Sequence, residues 1–139
     1  VSSLIDSEVE YRFNRGLRGY LEAVTAALGI GLESCTVDVD TPVSAYIAID
    51  WRFTRFPGRD VALIWDERHG WAATIEAGCG EDVIVLAYLG GDDVLPDPRH
   101  VVRFLAALRA DDHSLGQPDP PNIRRPGNHG ELLERLATA

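Results

Sequence analysis

The stretch from Cys35 to Tyr88, CTVDVDTPVSAYIAIDWRFTRFPGRDVALIWDERHGWAATIEAGCGEDVIVLAY, decides the fold. Cys35, Val37 and Val39 alternate with Thr36, Asp38 and Asp40, the period-two pattern of a strand with one wet face. Thr41 and Pro42 suit a turn. Val43, Ala45, Ile47, Ile49 and Trp51 then resume the alternation, so a hairpin is predicted. A third strand, about Asp60 to Trp65, and a fourth, about Trp71 to Glu76, are joined by a short polar connection ending in Gly70, which reads as a second hairpin. Beyond the glycine-containing turn at Gly78 to Asp82, the run Val83 to Leu89 is apolar on both faces. It is predicted to be a central or covered strand and the best buried of the five.

Helical patterns flank this stretch. Ser7 and Glu10 have the spacing of a capping box and predict a helix start. Val9, Phe13, Leu17, Tyr20, Val24 and Leu28 follow at intervals of three or four, the stripe of a helix with one buried face, and Gly29 and Gly31 end it. On the other side, Asp97 and Pro98 supply an N-cap and a first-turn proline for a helix with Val101, Leu105 and Leu108 facing inward. Residues 111–130 contain four prolines and no periodicity, and read as a long loop or hinge. Asn128 and Glu131 can cap a last short helix whose Leu132, Leu133 and Leu136 form a small apolar face. Alone such a helix is marginal, so it is expected to dock on the body or on another chain. The fold class is α+β: an N-terminal helix, a five-stranded mainly antiparallel sheet and two C-terminal helices, the helices covering one sheet face. Residues 1–110 form one domain, and 111–139 a proline-rich loop with a terminal helix.

Composition bounds the function. A chain of 139 residues, 45% hydrophobic and 25% charged, suits one hydrophobic core and excludes a largely disordered protein. There is no apolar run of the roughly 18 to 20 residues a bilayer requires and no signal-peptide pattern, so a cytoplasmic protein with no membrane association is expected. Cys35 and Cys79 lack the spacing of a zinc site or disulfide framework and read as reduced thiols. The net charge of -9 resides in the middle of the chain, where residues 33–97 hold 13 acids against 4 arginines. That balance argues against nucleic acid, whose phosphates need clustered cations. All 13 basic residues are arginine, which a GC-rich genome produces without functional pressure.

Two stretches, FPGRDVALIWDERHGWAA from Phe56 to Ala73 and VLAYLGGDDVLPDPRHVVRFL from Val85 to Leu105, resemble a family of small actinobacterial proteins classed as a domain of unknown function. The likeness extends over about residues 17–108. It implies a bacterial intracellular protein of one domain and transfers no catalytic residue.

Three clusters carry candidate chemistry. Trp51 to Arg59 mixes Trp51, Phe53 and Phe56 with Arg52, Arg55 and Arg59, the one basic, aromatic patch in an acidic region. Rings give large contact area at small entropic cost and arginine forks pair with carboxylates or phosphates, so Trp51, Phe53, Arg55, Phe56 and Arg59 are the first candidate binding residues. The simpler reading is a connection whose rings tuck under the sheet edge and whose arginines answer local acids. Asp66, Glu67, Arg68 and His69 gather acids and an imidazole on a hairpin connection; Asp66, His69 and Tyr88 are the candidate polar groups of an alternative small-molecule or enzymatic pocket between sheet and helices. A solvated turn, with Trp65 and Trp71 packing, is the simpler reading. Asp92, Asp93, Asp97 and His100 match no metal loop and are accounted for as turn and cap residues, so neither metal nor cofactor is predicted.

No phosphate loop, nucleophile elbow, zinc-protease helix or dinucleotide fingerprint is present, and no catalytic residue is assigned. The residues therefore point first to a non-enzymatic binding or regulatory module contacting a protein partner. The alternatives are a small-molecule or enzymatic cleft and an acidic, immunity-like inhibitor. Self-association, through the fifth strand or the terminal helix, is the other expected partnership.

Overall fold

The computed structural model describes residues 2–38, 43–78, 82–91 and 93–123, with side chains described from Tyr11 onward apart from Phe13 and Asn14. The Thr41–Pro42 turn, Cys79, Asp92 and the expected terminal helix with Asn128 and Glu131 lie outside the described residues. Helix α1 spans Ser2–Leu28 and is followed by a 3-10 turn at Leu32–Ser34. Five strands follow: β1 Cys35–Asp38, β2 Ser44–Ile49, β3 Val61–Asp66, β4 Gly70–Glu76 and β5 Val83–Tyr88; helix α2, Pro98–Arg109, comes after them. Among the described residues one helix thus precedes the sheet and one follows it; the second helix expected after the sheet falls outside them. Helix α1 also starts earlier than the Ser7 capping pattern predicts, because the backbone runs helical through Ser7. A serine inside a helix costs only about half a kcal/mol relative to alanine, too little to stop it.

The sheet is an antiparallel meander of order β1-β2-β3-β4-β5. Its register stacks the apolar positions in rows. Trp65 pairs with Ala45 and Trp71, Leu63 with Ile47 and Ala73, and Val61 with Ile49 and Ile75. This inner face is closed by Leu17, Tyr20, Leu21, Val24 and Leu28 of α1 and by Val101, Phe104, Leu105 and Leu108 of α2, all in one core. Each large side chain so buried contributes about 1.5–3 kcal/mol of transfer free energy. Helix α2 starts as its sequence dictates: the Asp97 side chain accepts the Arg99 N–H at 2.9 Å and Pro98 fills the first turn.

The expectation for the fifth strand is corrected. Strand β5 is the sheet edge, with Val83 40% and Ile84 49% exposed, while the central β3 and β4 are the best buried. Its apolar run has two other causes. The register slips opposite Ala73/Thr74, so β5 is bulged and its faces do not alternate strictly. Further along, Tyr88 exchanges both backbone hydrogen bonds with Gln117, at 2.8 Å each, which covers that part of the edge. Gly116 permits this approach, since a Cβ there would lie 2.9 Å from Phe104 and 3.1 Å from the Tyr88 carbonyl. Past Gln117 the chain reaches the β3–β4 connection, where Ile123 N–H donates to the Arg68 carbonyl at 2.9 Å.

Candidate functional site

The Trp51–Arg59 segment is a folded loop between β2 and β3. Phe53 is its anchor, 1% exposed in the core, so its ring has no surface to offer a partner. Next to it, Thr54 donates twice to the carbonyl of Arg109, from N–H at 3.1 Å and from the hydroxyl at 2.6 Å. Arg109 in turn sets its guanidinium 4.4 Å from the centroid of the half-buried Trp51 ring. Phe56 is half-buried against the core, with Arg55 above it at 6.0 Å. The arginines are paired: Arg52 with Asp60 at 2.7 Å, Arg55 with Asp111 at 3.8 Å, and Arg59 donating to the Glu76 carbonyl at 3.1 Å. Of the candidate binding residues, Arg55 is the most outward, its side chain 67% exposed. Arg109 was missed in the sequence because it joins the patch only through the tertiary packing of α2.

The second cluster also assembles, at a different place from the one expected. The space between sheet and helices is filled by the core. Asp66, His69 and Tyr88 meet instead at the β3–β4 end of the sheet. One Asp66 oxygen accepts the Arg68 and His69 N–H groups at 2.8 and 2.7 Å, and the other lies 3.1 Å from His69 Nδ1. This Asx-type turn fixes the hairpin, and the His69 ring stands 6.3 Å from that of Tyr88. The connection is not the solvated turn of the simpler reading. Glu67 is completely buried, its Oε2 accepting the Val43 N–H at 2.6 Å while its own N–H donates to the Val43 carbonyl at 2.9 Å. Trp65 and Trp71 are packing residues, each 1% exposed.

Asp93 and Asp97 spend oxygens on the N–H groups of Leu95 and Arg99, as turn and cap residues do. Cys35 is a free, half-buried thiol whose pKa is pushed up by burial, against the pull of Arg18.

A family model described as a family of unknown function (DUF6292) matches residues 20–107. The chain belongs to that family. No curated protein and no solved structure matches the chain. The matched span includes the Trp51 loop, the Asp66–His69 turn and Tyr88. Arg109, the strap from Gly116 to Ile123 and everything beyond lie outside it.

On the outer face of the sheet, Thr36, Asp38, Ser44, Tyr46, Ile64 and Asp66 line a shallow groove of ≈ 310 Å³. A second, of ≈ 410 Å³, lies toward Asp50, Arg52 and Asp60. No helix of the described residues is long and apolar enough to cross a membrane.

Proposed function

We propose that the protein is a non-enzymatic binding module that engages a protein partner through the Trp51–Arg59 loop and the adjoining end of α2. The observation that carries this reading is the anchoring of the loop: Thr54 is bonded twice to Arg109, and Arg109 stacks on Trp51. A loop already held in shape loses little conformational freedom on binding, so more of its contact energy appears as affinity. Arg55 pairs with Asp111 only at 3.8 Å and in solvent, a contact worth about 0–1 kcal/mol. A partner carboxylate can replace Asp111 at small cost, with Phe56 and Pro57 supplying apolar surface beside it. The reading includes a cytoplasmic location, consistent with the free thiol of Cys35.

The test is cross-linking of the intact protein in cell extract, followed by affinity measurements on the recovered partners. Arg55→Ala and Phe56→Ala are each expected to weaken binding by about tenfold or more, the effect of losing roughly 1.4 kcal/mol. Unchanged affinity for every partner in both variants would remove the loop from the interface.

A second partnership is favoured by the β5 edge. Val83 and Ile84 are exposed large hydrophobic residues on an edge strand, an arrangement that invites pairing with another strand. A second copy of the chain can extend the sheet there. Light scattering is expected to give a dimer for the native chain and a folded monomer for Ile84→Lys; equal masses would exclude edge pairing.

A further inference from the structure

We infer that the β1–β2 half of the outer sheet face docks a basic, extended segment of a partner protein, laid along β2 across Tyr46. Tyr46 is 41% exposed and stands between the two shallow grooves, lining both. One groove holds Thr36, Ser44 and Asp66, the other Ser34, Asp50 and Asp60. Next to the ring along β2, the exposed Ala48 carries only a methyl group, which leaves that flank of the ring open. Among the described residues the hydroxyls of Thr36, Ser44 and Tyr46 make no hydrogen bond, and the Asp50 carboxylate makes neither a hydrogen bond nor an ion pair. The docking face does not involve Trp51, Arg55 or Phe56.

Charge selects the occupant. Among the described residues, Asp38 and Asp66 line one groove and Asp50 and Asp60 the other, against the single guanidinium of Arg52, which Asp60 holds at 2.7 Å. Asp38 and Asp66 stand on either side of Ser44 in the β1–β2–β3 register, so like charges flank one position of the sheet. Such neighbours repel, and a cation seated between them relieves the repulsion. The site uses the field of these carboxylates and not free oxygens: Asp66 goes on holding the Arg68 and His69 N–H groups. An aromatic ring between two negative grooves suits arginine, whose apolar stem packs along the ring while its fork reaches a carboxylate. From Ser44 to Asp50 the chain runs roughly 20 Å. In an extended segment, residues i and i+4 point to the same side about 14 Å apart. Two arginines at that spacing enter one groove each, with the residue midway between them over Tyr46.

The experiment is an NMR titration of the full chain with the acetylated, amidated peptide Arg-Ala-Val-Ala-Arg. Saturable shifts at Thr36, Ser44, Tyr46 and Asp50 are expected, and none with Glu-Ala-Val-Ala-Glu. Tyr46→Ala is expected to weaken binding about tenfold and Asp50→Asn about threefold, both side chains being exposed and outside the core. No saturable binding, or equal affinity in the native and Tyr46→Ala chains, would overturn the inference. So would shifts at these residues on concentrating the chain alone, which would give the face to a second copy. Arginine amide binding as tightly as the peptide would also overturn it, leaving a cation site with no segment to dock.

Discussion

The indole N–H of Trp71 donates to the phenolic oxygen of Tyr20 at 3.1 Å, and the phenol donates onward to the Pro96 carbonyl at 2.7 Å. This relay joins β4, α1 and the loop before α2 through one buried hydroxyl. Trp71 is 1% and Tyr20 4% exposed, so the indole N–H loses its acceptor in Tyr20→Phe with little access to water. The variant is expected to lose about 1–3 kcal/mol in urea unfolding with an unchanged slope. A loss below about 0.5 kcal/mol would mean that the relay is not structural.

Glu67 and Val43 make a reciprocal pair that locks the β3–β4 connection onto the start of β2. Glu67→Ala leaves the fully buried Val43 N–H without that acceptor and opens a cavity, an expected cost of about 2–4 kcal/mol. Glu67→Gln keeps a carbonyl oxygen for the bond and is expected to cost clearly less. Equal costs for the two variants in denaturant unfolding would show that charge, and not the acceptor, is what the site requires.

These two contacts mark the boundary of what the sequence could disclose. The strands from β1 to β4, the Asp97 cap and the packing of Trp65 and Trp71 follow from alternation and local chemistry, and were legible. The burial of Glu67 was not, because hairpin connections are ordinarily wet and its partner lies 24 positions away. The edge position of β5 was hidden for a related reason. Apolar residues on both faces suit a buried strand, and only the bulge and the Gln117 strap distinguish a partly covered edge. At the Trp51–Arg59 loop the composition was read as a surface patch, whereas Phe53 belongs to the core and Arg109, distant in sequence, completes the arrangement.

Asp97 offers a prediction in pH. Its carboxyl lies below its ordinary value of 3.8, chiefly because the Arg99 backbone N–H, and then the Arg99 side chain, bond the charged form. A folded-state pKa below the unfolded one contributes stability that is present above the ordinary value and is lost as pH falls through the folded value. Asparagine also caps helices but does not titrate in this range. The difference in stability between the native chain and Asp97→Asn is therefore expected to be constant from pH 5 to 7 and to shrink below about pH 4. A difference that stayed constant down to pH 2 in chemical unfolding would contradict the assignment.

The stacking of Arg109 on Trp51 is testable without knowing the partner. At an exposed site a cation–π contact is worth about 0.5–1 kcal/mol, small beside the packing that either residue also provides. Single substitutions would confound the two effects, so the measurement is a double-mutant cycle of Trp51→Ala and Arg109→Ala in urea unfolding. The Thr54 bonds use the backbone carbonyl of Arg109 and can survive in both variants. A coupling of about 0.5–1 kcal/mol is expected. If the coupling is present and Arg109→Ala also weakens partner binding, α2 shapes the loop that the partner meets. A coupling near zero would mean that the ring and the guanidinium are neighbours without mutual stabilisation, and the preorganisation of the loop would then rest on Phe53 and Thr54 alone.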